Sequence, residues 1–106
     1  MYELQPNYDR AKSFYKKAFV NKREGGIDLY SYDSLVATAV FEDGRYKLVL
    51  YDGVYEDECH GYCRGYYESS TTRRHVSEFS QQFCLTGLSK SDMYRILAEQ
   101  KKQEVI

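Results

Sequence analysis

Residues 27–51 hold three short runs of strand-forming residues divided by two turn dipeptides, and few folds accommodate that spacing. Residues 27–32 alternate, residues 35–41 are β-branched and apolar, and residues 46–51 alternate again. Asp33-Ser34 separates the first two runs, and Asp43-Gly44 separates the second from the third. Asp-Gly suits a two-residue hairpin because both central residues of such a turn need positive φ. The segment therefore predicts an antiparallel meander, with Leu35, Ala37, Ala39 and Phe41 on one face beside Tyr46, Leu48 and Leu50. Thr38, Lys47 and tyrosines fall on the other face. A second Asp-Gly, at Asp52-Gly53, predicts another turn before Val54-Tyr55.

The flanks are less regular. Pro6-Asn7 resembles a turn, and Tyr8, Ala11, Phe14 and Tyr15 share the side of a short helix. Residues 17–21 predict a first strand, ended by Lys22-Arg23-Glu24 and the pair Gly25-Gly26. Residues 56–68 break the pattern with two cysteines, a histidine and consecutive acids, which predicts an irregular excursion or a hairpin tip. Ser69-Ser70-Thr71-Thr72 is then a cluster of N-cap residues, followed by Val76, Phe79 and Phe83 at helical spacing. That helix should run to Cys84 and stop at Gly87. Ser89 with Asp92 opens a second helix, whose stripe is Met93, Ile96 and Leu97 and whose Lys101-Lys102 suit the negative end of its dipole.

The expected fold is α+β: an antiparallel β-meander of three to five strands followed by two C-terminal helices. At 106 residues the chain forms one domain around one core. Within it, 17–55 is the meander, 56–68 an inserted Cys/His loop or hairpin, and 71–84 and 89–102 the helices. Mean hydropathy is low, −0.68, but the chain is 42% hydrophobic and carries 12 tyrosines, whose rings bury well once the hydroxyl has a partner. A net charge of −1 weighs against a general nucleic-acid coat, though not against a local basic site. No stretch is long and apolar enough to span a bilayer. The N-terminus lacks the basic and apolar regions of a signal peptide, and three cysteines form no disulfide framework, so a cytosolic protein is expected.

Residues 29–37 (Leu-Tyr-Ser-Tyr-Asp-Ser-Leu-Val-Ala) and 65–79 (Gly-Tyr-Tyr-Glu-Ser-Ser-Thr-Thr-Arg-Arg-His-Val-Ser-Glu-Phe) resemble a family of small domains carried by phages and mobile elements of Gram-positive bacteria. Residues 13–18 and the helix start at 90–93 share the likeness, which covers most of the chain. The family is one of unknown function, so the resemblance implies a genomic setting and no activity. Residues 52–64 depart from its pattern. The Cys/His segment therefore reads as an insertion onto which no family role carries.

Three groups of residues bear on chemistry. Cys59, His60 and Cys63 are of the types that bind zinc, but a structural site wants a fourth ligand, from His75, Cys84, Asp57 or Glu58. The chain has no second C-x-x-C-like pair, and reduced cysteines on a loop are favoured over a metal site. As a nucleophile, a cysteine here would need His60 or His75 as base, and the acids at 56–58 oppose thiolate formation. With no phosphate loop and no telling carboxylate pair, the chain reads as non-enzymatic with no cofactor.

The second group, Arg73 and Arg74, places cations in a helix first turn, where the dipole disfavours them. A bound phosphate would offset this, with Tyr62, Tyr66 and Tyr67 as stacking surfaces for single-stranded nucleic acid. An internal partner such as Glu68 or Glu78 is favoured over phosphate. His75 and one arginine recur in the family motif, which implies a network joining helix to sheet. The third group is acidic: Glu56, Asp57 and Glu58, with Tyr55 beside them, suit contact with a basic cleft on another protein.

The expected function is that of a phage or mobile-element accessory protein that binds and inhibits a host protein, for which the resemblance suggests a defence nuclease in the anti-CRISPR manner. A nucleic-acid-binding domain and a zinc-stabilised structural protein are the alternatives.

Overall fold

The computed structural model describes residues 1–8, 17–57 and 62–104, with 55–57, 62–64 and 104 by their backbone alone. Five strands form an antiparallel sheet in chain order: β1 (Tyr2–Glu3), β2 (Ala18–Arg23), β3 (Gly26–Ser31), β4 (Ser34–Glu42) and β5 (Arg45–Leu50). A separate hairpin of β6 (Val54–Asp57) and β7 (Tyr62–Gly65) follows, then a 3₁₀ turn (Tyr66–Glu68) and helices α1 (Ser70–Cys84) and α2 (Lys90–Glu104). This is the α+β arrangement expected, a five-stranded meander followed by two helices.

The register explains the core. Val20 faces Leu29, Leu29 faces Ala37 and Ala37 faces Leu50, so one buried row crosses four strands. A second row joins Ile27, Ala39 and Leu48. Onto these rows α1 lays Val76 and Phe79, and α2 adds Met93 and Leu97. Each such side chain contributes about 1.5–3 kcal/mol when fully buried. The third row, Phe41 opposite Tyr46, stays exposed at the hairpin end of the sheet.

The opposite face carries a buried polar pair. Asp28 and Thr38 are paired across β3 and β4, both buried. The Thr38 hydroxyl donates to Asp28 Oδ1 at 2.7 Å, which leaves the Tyr51 hydroxyl to donate to Thr38 at 2.9 Å. Arg23 Nε completes the carboxylate's partners at 3.0 Å, and this hydrogen bond raises the guanidinium pKa further. The ion pair explains why β2 extends through Lys22 and Arg23, where the sequence predicted that polar residues would end the strand. Lys22 and Arg23 take ladder positions opposite Ile27 and Gly26.

The turns divide into expected and unexpected. Asp43 and Gly44 have φ of 52° and 80°, the two positive values that the Asp-Gly hairpin requires. Between β3 and β4 the turn residues are Tyr32 and Asp33 (φ 51° and 68°), while Ser34 opens the next strand. Asp52-Gly53 is no such hairpin turn, since neither residue has positive φ. Gly53 serves a close approach: a Cβ there would lie 2.4 Å from the Tyr66 ring.

Helix α1 starts at the predicted cap cluster, with Ser69 Oγ accepting from the Thr72 amide. It runs to Cys84 as predicted, but its left-handed cap is Leu85 (φ 63°), where Gly87 was the expected stop. Ser89 and Asp92 cap α2 reciprocally, each side chain accepting from the other's amide. Strand β1 had no sequence signature, because two residues show no periodicity. The predicted helix through Ala11, Phe14 and Tyr15 lies outside the described residues.

Candidate functional site

The two motif pieces of the sequence meet inside the protein. Ser31 of β3 lies 2.8 Å from His75 Nδ1 and 3.3 Å from the Thr72 hydroxyl, and all three side chains are fully buried. Thr72 and His75 share a face because they are three apart on α1. The Tyr32 ring sits 6.1 Å from the imidazole. A serine–histidine pair has the residue types of a nucleophile and its base, and here both side chains are fully buried. It is a clasp between helix and sheet, as the network implied by the resemblance would be.

Arg73 and Arg74 diverge. Arg73 donates to the Tyr67 carbonyl at 2.8 Å, so its offset to the helix dipole is a backbone oxygen, supported by the nearby Glu68 charge. Glu78 is committed elsewhere: it is buried and accepts from the Tyr8 amide and from Gln82, both at 2.7 Å. Arg74 is exposed and makes no ion pair among the described residues. With Ser70, Arg73, Ser77, Leu88, Ser89 and Lys90 it lines a shallow depression between the starts of the two helices.

Two carboxylates bond residues of that lining: Glu68 bonds Lys90, and Asp92 bonds Ser89. Glu68 accepts from the Tyr94 hydroxyl and, at 3.2 Å, from Lys90. The Tyr94 bond, then Lys90, hold the Glu68 carboxyl below the usual range, and the same bond pushes the Tyr94 phenol up. Asp92 is lowered by its hydrogen bonds from the Ser89 backbone and side chain. Lys90 and Arg73 thus lie near the Glu68 carboxylate, which stays ionised at neutral pH.

The segment at 56–68 includes a regular hairpin. Tyr55 pairs with Arg64, Glu56 with Cys63 and Asp57 with Tyr62, in a ladder hydrogen-bonded to neither edge of the main sheet. Its base is fixed by the Tyr66 amide donating to Gly53 O at 2.9 Å and by Tyr67. Tyr67 was expected to contact a partner. It is a core residue, 2% exposed, whose hydroxyl lies 2.6 and 2.8 Å from the carbonyl oxygens of Val36 and Tyr51. Burying the ring needed that polar partner. Tyr66 remains half-buried.

Glu58, Cys59 and His60 lie outside the described residues, and Cys63 is placed by its backbone alone, so the zinc expectation lies outside them too. Among the described residues, no three His, Cys, Asp or Glu side chains cluster as metal ligands. Half-burial of Cys84 pushes its thiol pKa up, the opposite of activation. No described helix is long and apolar enough to cross a membrane.

One surface escaped the sequence reading. Phe41 (54% exposed) and Tyr46 form an edge-on ring pair 5.2 Å apart, and Phe83 lines the same cleft. Both rings carry the core-face alternation that predicted burial, but α1 ends before covering them. Leu85, immediately after the helix, is 88% exposed.

No curated protein and no solved structure matches the chain. Residues 2–95, from β1 into α2, match a family whose function is unknown. The chain therefore belongs to the DUF8033 family, and the Ser31–Thr72–His75 clasp lies inside the matched region.

Proposed function

We propose that this domain acts without catalysis, binding a host protein through the acidic residues of the β6–β7 hairpin and inhibiting it. The observation that carries the reading is the hairpin itself, a two-stranded element with its own ladder, rooted at Gly53 and Tyr66. Glu56 and Asp57 occupy consecutive strand positions on it, and Glu58 follows. A rigid strand presents carboxylates at lower entropic cost than a loop does, which favours a basic partner surface. The resemblance to phage and mobile-element domains makes a host defence nuclease, engaged in the anti-CRISPR manner, the partner class we favour.

The test is charge reversal at Glu56, Asp57 and Glu58 to lysine, read as partner capture from host lysate and as inhibition of the captured protein. Loss of both with an unchanged melting temperature supports the reading. Retained inhibition overturns it.

A second reading follows from the depression between the helix starts, where Arg74 is unpaired among the described residues and Lys90 adjoins it. Single-stranded nucleic acid would place a phosphate there. Binding to a labelled oligonucleotide at low salt, lost in Arg74→Ala with Lys90→Ala, is the expected result. Absence of binding at low salt removes this reading.

A further inference from the structure

We propose that the outer edge of β5, between Arg45 and Val49, takes up an extended segment of a partner protein in which apolar and acidic residues alternate, adding it as a sixth strand. The starting observation lies at one end of that edge. Gln100 of α2 reaches the strand and pairs with it twice: its Oε1 accepts from the Leu50 amide at 3.0 Å, and its Nε2 donates to the Leu50 carbonyl at 2.7 Å. Leu50 therefore points its backbone polar groups away from β4. In an antiparallel ladder this orientation alternates, so Leu48 and Tyr46 also point theirs outward. The Tyr51 amide, by contrast, turns inward to Val36 O. Among the described residues nothing pairs with the outward groups of Tyr46 and Leu48. A side-chain amide caps one position of the edge, and two remain open.

The surroundings select the occupant. A groove lined by Arg45, Tyr46, Lys47 and Cys84 runs between this edge and the C-terminal end of α1. Its apolar member is Tyr46, which with Phe41 opposite it forms the exposed row that the helix fails to cover. Leu85 stands beside Cys84, exposed and in a left-handed conformation unfavourable for a side chain, which gives a partner contact something to gain. On the other face, Arg45 and Lys47 are exposed and form no ion pair among the described residues. Glu42 and Asp43 line the hairpin end of the groove, so the cationic stretch centres on Lys47.

The same lysine disfavours a second copy. Two-fold pairing of β5 with itself about residue 47 would set Lys47 against Lys47, and like charges directly opposite destabilise a strand pair. An added strand with carboxylates on that face and apolar side chains on the other meets both surfaces. Main-chain bonds then supply affinity and alternate side chains supply selectivity.

A capped hexapeptide of alternating valine and aspartate is the probe, with hydrogen exchange at individual amides as the readout. Exchange at Tyr46 and Leu48 should slow about tenfold or more at saturating peptide. Lys47→Glu should weaken binding roughly fivefold, and an alternating valine–lysine peptide should not bind. Tyr46→Pro removes an outward N–H without touching the ladder to β4, and should abolish the slowing at Leu48 while circular dichroism keeps its sheet signal. Charge reversal at Glu56 and Asp57 should leave peptide binding unchanged, so this proposal and the hairpin reading fail separately. Unchanged exchange at millimolar peptide, or equal binding of the lysine peptide, overturns it. So does protection that rises with protein concentration alone, which would make the occupant a second copy.

Discussion

Ser31 and His75 stand 44 positions apart in the chain, yet their side chains meet at 2.8 Å with no exposure to solvent. Removing either deletes a buried hydrogen bond, at a cost of about 1–3 kcal/mol that Thr72, 3.3 Å from Ser31, partly offsets, and truncating the imidazole adds a cavity. We expect His75→Ala to destabilise by roughly 3 kcal/mol and Ser31→Ala by roughly 1.5 kcal/mol in urea unfolding. The double variant should fall short of their sum by about 1 kcal/mol. Strict additivity would show that the contact contributes nothing.

Gly53 and Tyr66 set the base of the hairpin. A methyl group at position 53 would lie 2.4 Å from the ring, so Gly53→Ala should destabilise by about 1–3 kcal/mol. Adding Tyr66→Ala should recover part of that loss, because the obstructing ring is gone. Thermal melting of the two variants decides it.

Leu85 holds φ at 63° while its side chain contacts solvent, so the helix terminus bears strain with little packing in return. Leu85→Gly should stabilise the isolated protein by about 1 kcal/mol. Leu85→Ala, which keeps the Cβ, should not. Chemical denaturation separates the two.

Arg73 and Arg74 should behave differently despite adjacency. Arg73→Ala loses the hydrogen bond to the Tyr67 carbonyl and should cost about 1 kcal/mol. Arg74→Ala should stay within about 0.5 kcal/mol of the parent. Equal losses would mean that Arg74 has a structural role its exposure does not reveal.

The Glu68–Tyr94 bond should be visible in titration. Glu68 is depressed, so its contribution is in place at neutral pH and is lost as pH falls through the folded value, below the ordinary glutamate pKa of about 4.3. Tyr94 is raised, so its contribution is complete below the ordinary tyrosine pKa of about 10 and is lost as pH rises through the folded value above it. In Tyr94→Phe the Glu68 carboxyl should titrate closer to the ordinary value, with Lys90 retaining part of the depression. Carboxyl-carbon NMR reads this directly, and an unchanged titration would remove the bond from the account.

Local rules were legible wherever a residue's neighbours in sequence are its neighbours in space. The Asp43-Gly44 turn, the Ser69 cap and the Ser89–Asp92 box each depend on contacts within four residues, and each appears where the sequence placed it. Tyr67 and Phe41 were misjudged for the opposite reason. Alternation marks a face, but whether that face is covered depends on where a helix from elsewhere in the chain ends. Tyr67 is buried because Val36 and Tyr51 offer carbonyls to its hydroxyl, and Phe41 is exposed because α1 stops at Cys84.

By itself, then, the sequence determined the strands of the central meander, their order and the two helix starts, since strand period, turn dihedrals and capping are all short-range physics. The tertiary structure alone decided that Thr72 and His75 face Ser31, that Gly53 makes room for a ring, and that β5 keeps an edge past Gln100 open among the described residues. Those outcomes rest on contacts between residues far apart in the chain, and no local spacing encodes the distance between them.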